Sequence, residues 1–422
     1  LLDIGRFAVS PEQPDIPQFR RTPGYPLFIA GIYRLFGQHH LLVILVQIGV
    51  SLLTVAYTYA LAALLWNARL GLLAAIWLCC DLASHINTLQ LLTDTLFTSV
   101  LTVALLCGLL TFRSESPRSS ILFASLFGLL CACASLIRPI AYYLFFPTAI
   151  LCLWHWIYQC RWRYREILCG VGCLIIAWGS LTLGWQFRNY RLCGSAELSH
   201  VTGANLLFYG GASLVAKRDG LTFVQAQRVL GFYDYTRRFP ETNGWSICRL
   251  DERWKREGVR IIARHPKQFA WRCVREGIKM ILGLGEQTTL QFWGIGDASS
   301  PLRDVFVLSW RDYLATWVLK HPLLLAIFFT TGMALLACYI SIGVSLCVLL
   351  RSPMTGFYQQ AHLFLWTIIL CIFMLTVLSG VDVYSRFRIP MMPIFCAYAA
   401  HGLSMICSRR GIRHAIRHGN DI

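Results

Sequence analysis

The sequence predicts an all-α polytopic membrane protein, a bundle of transmembrane helices interrupted once by a mostly helical external segment. Three observations carry that prediction. Hydrophobic types fill 56% of the 422 positions and charged types only 14%, where a soluble domain carries about 25% charged residues. Apolar runs close to the length needed to cross a bilayer recur in both halves. Aromatic residues cluster where runs end, as in Trp154, Trp156, Tyr158, Trp162 and Tyr164, the interfacial positions that Trp and Tyr favour. Disordered, collagenous, coiled-coil and small disulfide-stapled classes are excluded.

Taken in order, Leu1–Arg21 is a partly polar stretch, and Tyr25–Phe36 reads as a short helix at the membrane interface. Spans follow at Leu41–Trp66, Leu91–Phe112, Ser120–Ile137, Ile140–Ile157 and Ile167–Phe187. Leu70–Cys80 is too short to cross alone, and reads as a short or broken crossing sheltered by other helices. After a polar segment, Arg188–Arg303, spans resume at Pro322–Leu350, Ala361–Val381 and Ile389–Cys407, for about nine in all. Val305–Leu319, which contains Arg311 and Asp312, suits a helix lying at the interface or against the bundle.

Within the polar segment, Phe223–Gly231 is patterned as an amphipathic helix. Asp251–Leu282 reads as one or two helices with basic faces, Pro266 opening the second. Gly210–Gly211, Asp219–Gly220 and Asn243–Gly244 mark turns. The chain therefore divides into an N-terminal membrane part (1–187), an external domain (188–303) and a C-terminal membrane part with a basic tail (304–422).

The net charge is +17. Its distribution argues for topology rather than for nucleic acid. Asn67–Arg69, Arg113–Arg118, Arg161–Arg165, Arg351 and Arg409–Arg417 all fall on one side of the spans, which is thereby cytoplasmic. The opposite side receives Leu1–His40, Asp81–Gln90, Arg138, the polar segment and Asp382–Arg388. Long loops translocate regardless of charge, and in the polar segment the basic excess suits anionic lipid or phosphate. With Leu1 outside and no initiator Met, a first helix is expected upstream of Leu1, the alternative being one miscounted span at Leu70–Cys80.

Most of the 17 Cys lie in apolar runs and behave as small hydrophobes. Of Cys193, Cys248 and Cys273 in the polar segment, two can form a disulfide and one thiol is left over. His265 and His321 each precede a Pro without ligand spacing, so no metal site is assigned. No P-loop, dinucleotide glycine pattern, serine-hydrolase elbow or DNA-reading module is present.

Charges inside the membrane region need a reason. A carboxylate at full depth costs about 2.5–3.5 kcal/mol, and Asp94 stands near the external end of a span. It reads as a site carboxylate facing a water-filled cavity, the alternative being an interfacial residue that pairs with Arg138 or caps a helix. Arg138, before Pro139, either snorkels or contacts phosphate. In Arg20-Arg21-Thr22-Pro23-Gly24-Tyr25-Pro26, the prolines and glycine hold a cation rigidly at the interface. Asp382, Tyr384, Arg386 and Arg388 do the same on the return side. Cations placed around one acid suit a lipid-linked phosphate held by Arg while a carboxylate handles a proton.

These residues carry a resemblance. Arg21–Phe28, Leu91–Phe97, Ser135–Pro139, Arg188–Asn189, Ser199–Leu206, His265–Pro266 and Arg386–Pro390 occur in the order found in membrane-embedded C-type (GT-C) glycosyltransferases that use polyprenyl-phosphate sugars. The chain resembles in particular the bacterial branch related to protein O-mannosyltransferases and the lipid A aminoarabinose transferase. The resemblance implies a GT-C-like bundle with short juxtamembrane helices in a bacterial inner membrane, its active site on the periplasmic side. It implies transfer of a sugar from a polyprenyl-phosphate donor to a glycan, lipid or protein acceptor, with membrane lipids but no nucleic acid as further partners. Asp94 would be catalytic, and Arg21, Arg138, Arg386 and Arg388 would hold the donor phosphate. Pro23, Gly24, Tyr25 and Thr93 would shape the site. The family's first acidic residue would be the general base toward the acceptor, with Asp94 orienting it or shaping the pocket, and it would precede Leu1, since neither Asp3 nor Asp15 stands where it belongs. The cofactor is left open, a divalent metal ion being the one candidate, and Arg20 stands where metal-binding relatives can carry an acid. Two other classes remain as alternatives. One is a transporter or flippase of a lipid-linked saccharide, which no paired repeat supports. The other is a non-catalytic scaffold.

Overall fold

The computed structural model describes residues 7–10, 13–285, 289–290, 320–352, 355–380 and 385–408. Val305–Leu319, Asp382, Tyr384 and the tail from Arg409 lie outside them. Among the described residues, eight helices are long and apolar enough to cross a membrane, or nine if one bent pair is a single crossing. The chain is a helical, multi-pass membrane protein.

The contacts divide it into two compact units. One comprises Leu1–Leu42, Leu110–Lys279 and Trp366–Val383, and the other Val43–Leu109, Met280–Leu365 and Tyr384–Ile422. This partition cuts across the sequence division at 187 and 303, because each unit gathers distant stretches of chain.

The first unit opens with a hairpin, Ala8–Ser10 (β1) paired antiparallel with Gln13–Pro17 (β2). The short interfacial helix follows as α1, Gly24–Phe36. His40–Leu65 (α2), Ala68–Cys79 (α3), Leu82–Thr88 (α4) and Asp94–Arg113 (α5) come next in the chain. α3 and α4 meet at a bend of 62°, and this is the broken crossing expected at Leu70–Cys80. At the break Asp81 is buried, and its Oδ2 accepts from the Ser84 hydroxyl. Asp81 stands between the two helices, and this bond ties its carboxylate to the first turn of α4.

Pro117–Ile137 (α6), Ile140–Trp154 (α7) and Tyr164–Cys193 (α8) complete the N-terminal spans. α6 begins as its sequence dictates: Ser116 caps it by accepting from Ser119 N, and Pro117 takes the first position. It packs closely on α8 because Gly128 faces Leu174; a Cβ there would come within 3.0 Å of the Leu174 carbonyl. Small residues at such crossings let backbones approach without lipid between them.

The polar segment is helical, as expected. Thr202–Asn205 (α9), Ala212–Asp219 (α10), Phe223–Val229 (α11) and Tyr235–Arg238 (α12) are short. Ile247–Arg264 (α13) and Pro266–Leu282 (α14) are the two basic helices, divided at Pro266. Leu207, Phe208, Tyr235, Leu250 and Trp254 form its core. Cys193 at the end of α8 is disulfide-bonded to Cys248 at the start of α13, across 55 residues of sequence, and Cys273 is left as the free thiol. Closing a loop of that length stabilises by about 4 kcal/mol in the chain-entropy account. The Cys193→Ser, Cys248→Ser double variant is therefore expected to lower the unfolding temperature of the purified chain. The same variant should open 194–247 to protease before the spans are attacked.

The second unit is completed by Pro322–Arg351 (α15) and Met392–Cys407 (α17); between them Gly356–Leu378 (α16) runs from this unit into the first. α15 and α17 touch at the backbone, since a Cβ on Gly402 would lie 1.7 Å from the Ser341 carbonyl oxygen. Buried small side chains on α17, among them Ala397, Ala399 and Ala400, give the same close approach.

Candidate functional site

The sequence-predicted residues fall in two groups, Arg21 and Arg138 in the first unit and Thr93, Asp94, Arg386 and Arg388 in the second. Each group is built by its own contacts.

In the first unit the loop before α1 is clamped on the C-terminal end of α6. Thr22 Oγ1 donates to the Ile137 carbonyl at 3.3 Å. Gly24 leaves no space for a side chain, because a Cβ would sit 2.6 Å from the Leu136 carbonyl oxygen. Tyr25 and Pro23 are buried beside it. Arg138 ends α6 in an extended conformation, φ −139° and ψ 120°, as the residue before Pro139 must. The clamp thus fixes the Arg20–Arg21 loop against the segment that carries Arg138. Arg21 itself is exposed, and Arg138 is half-buried.

The external domain holds the same loop from its other side. Ser199 Oγ donates to the Arg20 carbonyl, and His200 N donates to the Phe19 carbonyl at 2.9 Å. Arg20 lies over the Trp254 ring, 5.5 Å from its centroid. Arg188 donates to the Gln18 carbonyl at 3.0 Å and stacks on Trp185. Asn189, fully buried, donates to the Glu197 carbonyl at 2.7 Å. The Arg188-Asn189 motif is therefore a fastener between α8, the chain that follows β2 and the loop at Glu197.

Behind this loop the structure assembles three groups that sequence reasoning missed. Ligand atoms of Glu197, His200 and Asp251 all lie within 4.8 Å of one another. His200 is 1% exposed, and burial holds its imidazole below the usual pKa, an effect that Glu197 partly offsets. Asp251 Oδ1 accepts from Gly203 N at 2.9 Å and Ala204 N at 3.3 Å, while its buried Oδ2 has no hydrogen-bond partner among the described residues. Gly203 is required there, since a Cβ would meet the Asp251 carbonyl oxygen at 2.1 Å. Lys255 Nζ bonds Glu197 Oε1. Burial pulls its pKa down, but the bond and charge of Glu197 prevail and raise it. A local signal was present, Glu-x-x-His at 197–200. Asp251 comes from α13, far along the chain from the loop that carries Glu197 and His200, so the third group had none.

Burial pushes the Asp251 carboxyl up to about 6 from an ordinary 3.8, against the pull of Lys255 and the two backbone donors. The folded chain therefore holds this proton more tightly than the unfolded chain. Its contribution to stability is fullest below about pH 4 and falls as pH rises to about 6, by roughly 3 kcal/mol. Asn keeps the Oδ1 acceptor and cannot ionise. The unfolding temperature of Asp251→Asn minus that of the unaltered chain should grow between pH 4 and 6 and level off above. A difference constant across that range would show that Asp251 does not titrate in this window.

In the second unit Asp94 opens α5 and is 1% exposed. A negative charge in the first turn is favoured by the unpaired N–H groups of the helix start. Thr93 precedes it, its carbonyl accepting from Phe97 N at 2.9 Å. Thr95 Oγ1 donates to Thr88 Oγ1 at 3.2 Å, and Gln47 of α2 donates to the carbonyls of Thr88 and Gln90. These bonds fasten the turn before Asp94 to two helices. Thr88, Thr95 and Thr98 line a cavity of about 20 Å³, room for one water.

The return-side arginines behave differently from each other and from expectation. Arg388 is 1% exposed and its Nη1 donates to the carbonyls of Met280, Ile281 and Gly283 at 3.2, 2.6 and 3.0 Å. A guanidinium on the last carbonyls of α14 is a helix C-cap, so the donor-phosphate contact expected of Arg388 gives way to a structural task. Arg386 is half-buried over the Phe387 ring, and its Nε has no partner among the described residues.

Residues 20–185 match the family model of dolichyl-phosphate-mannose-protein mannosyltransferase. The matched stretch contains Arg21, Thr93, Asp94 and Arg138. No curated protein and no solved structure matches the chain. The match supports a membrane-embedded GT-C glycosyltransferase of the mannosyltransferase-like kind, the family that the sequence motifs resemble.

Proposed function

We propose that the protein transfers a sugar from a polyprenyl-phosphate donor to an acceptor hydroxyl on the outer side of a bacterial inner membrane. One observation carries the reading: the clamp of Thr22 and Gly24 on the end of α6 sets the Arg20–Arg21 loop beside the Arg138 segment, inside the matched stretch. In the reaction the acceptor oxygen bonds the anomeric carbon, the carbon–oxygen bond to phosphate breaks, and polyprenyl phosphate leaves. Arg21 and Arg138 neutralise the charge that grows on that phosphate. Asp94 accepts the hydrogen bond of the attacking hydroxyl and orients it, and a general base takes the proton. The donor is already activated and membrane-borne, which agrees with the lack of a nucleotide motif.

A divalent cation is the proposed cofactor, held by Glu197, His200 and Asp251. Their oxygen and nitrogen donors fit such an ion, and Asp251 Oδ2 has unused capacity. Lys255 would have to leave Glu197. An ion there would stand beside the Arg20 loop and add positive charge for a phosphate.

The test is turnover of a polyprenyl-phosphate sugar by the full chain in lipid vesicles. A charge-assisted contact is worth about 1.5–3 kcal/mol. Arg21→Ala and Arg138→Ala should each therefore lower turnover per folded molecule by roughly 10- to 150-fold. Unaltered turnover in both would remove the phosphate role.

A further inference from the structure

A second cavity lies in the second unit at the other end of α2 from the Gln47–Thr88 contact, about 28 Å along the helix. It measures about 340 Å³. Five helix ends converge on it: the ends of α2, α15 and α17 and the starts of α3 and α16. This is the end that bears Asn67–Arg69 and Arg351, whose charge assigns it to the cytoplasmic face. Helix ends of both polarities meet here, so backbone dipoles do not choose the occupant. The side chains do.

His362 and His401 are each 5% exposed and both line the cavity. His401 is stacked on Trp66, with ring centroids 4.7 Å apart and an interplanar angle of 8°. Tyr398 Oη lies 2.6 Å from His362 Nδ1, and Ser345 Oγ lies 2.8 Å from His401 Nδ1. The Tyr398 and Ser345 hydroxyls can donate to these nitrogens, and in that tautomer each neutral imidazole carries its proton on Nε2. Asn67 Oδ1 accepts from Leu70 N at 3.0 Å, which leaves the two amide hydrogens of its Nδ2. Tyr358 and Ser404 add hydroxyls. In that tautomer the polar groups lining the cavity are mainly hydrogen-bond donors, and among the described residues no carboxylate lines it. Leu70, Leu349 and Met405 supply an apolar side.

We infer that this cavity binds a phosphate group, with an acyl or prenyl chain leaving along the apolar side. Phosphate oxygens only accept hydrogen bonds, so they match a donor-lined pocket. A free amine or a metal cation finds no anion there. The stacked Trp66–His401 pair and the hydroxyl–imidazole bonds hold the donors before any ligand arrives, which lowers the ordering cost of binding. The site is separate from the proposed transfer chemistry, since it lies at the far end of the unit that carries Asp94.

The experiment uses the full chain in phosphatidylcholine nanodiscs. It is titrated with short-chain phosphatidate, inorganic phosphate or short-chain phosphatidylcholine, while the thermal unfolding midpoint is followed. Phosphatidate should raise the midpoint saturably and phosphatidylcholine should not. Two variants test the place: His362→Leu removes a donor, and Ser404→Phe fills the cavity from a half-exposed position while keeping both imidazoles. Each should weaken phosphatidate binding at least tenfold. Competition by inorganic phosphate would show that the phosphate alone is recognised; its failure to compete would assign the site to lipid headgroups with their chains. Stabilisation absent in the unaltered chain, equal with phosphatidylcholine, or undiminished in both variants would overturn the inference.

Discussion

Asp94→Asn is expected to lower sugar transfer by about 10²-fold, the cost of misplacing a reacting group, with no matching loss of folded protein. Asn has the shape of Asp, so the buried start of α5 stays packed, and only the charge and the hydrogen-bond-accepting oxygen are lost. The structural alternative predicts something else. A carboxylate that merely favours the first turn of a helix contributes about 0.3–1 kcal/mol of stability. Its loss would lower the unfolding temperature slightly and leave turnover per folded molecule alone. Donor binding gives the second axis. Since Asp94 is assigned to the acceptor side, Asp94→Asn should bind the polyprenyl-phosphate sugar as the unaltered chain does, whereas Arg21→Ala should bind it more weakly. Equal loss of donor binding in the two would move Asp94 to the phosphate side and undo the division of roles.

The spans could be read from sequence because crossing a membrane demands long apolar runs and little else. The expectation of a short crossing at Leu70–Cys80 held for the same reason, with Asp81 and Ser84 supplying the break. The hairpin at 8–17 escaped because strands of 3 and 5 residues beside several prolines carry no pattern. Pairings between distant residues were the hidden part. Nothing near Arg388 shows that its acceptors are Met280, Ile281 and Gly283, so a buried cap looked like one more cation at the interface. Asp251 likewise meets His200 through the fold of the external domain and not through spacing. What the motifs did convey was local stiffness. Arg20–Pro26 reads as a rigid mount for a cation, and Thr22 and Gly24 fasten that mount to α6.

That mount supplies the sharpest test of position as distinct from chemistry. Gly24 contacts the end of α6 so closely that a methyl group would sit 2.6 Å from the Leu136 carbonyl oxygen and 2.9 Å from Ile137 Cγ1. The nearest obstacle is backbone, which cannot swing aside as a flexible side chain would. Gly24→Ala must therefore push α1 and its preceding loop away from α6. Overpacking of this kind costs about 1–3 kcal/mol, which a multi-pass bundle can absorb. The displaced loop carries Arg21, however, and a shift of about 1 Å in a charge that meets the transition state can cost 10²-fold in rate. Gly24→Ala should thus fold, keep Arg21 and Arg138 chemically intact, and still lose turnover nearly as deeply as Arg21→Ala. Gly31 on the same helix has nothing within 4 Å of where its Cβ would be, so Gly31→Ala controls for helix propensity and should leave turnover unchanged. If Gly24→Ala and Gly31→Ala behaved alike, the clamp on α6 would have no part in placing the arginine, and the observation on which the transferase reading rests would lose its force.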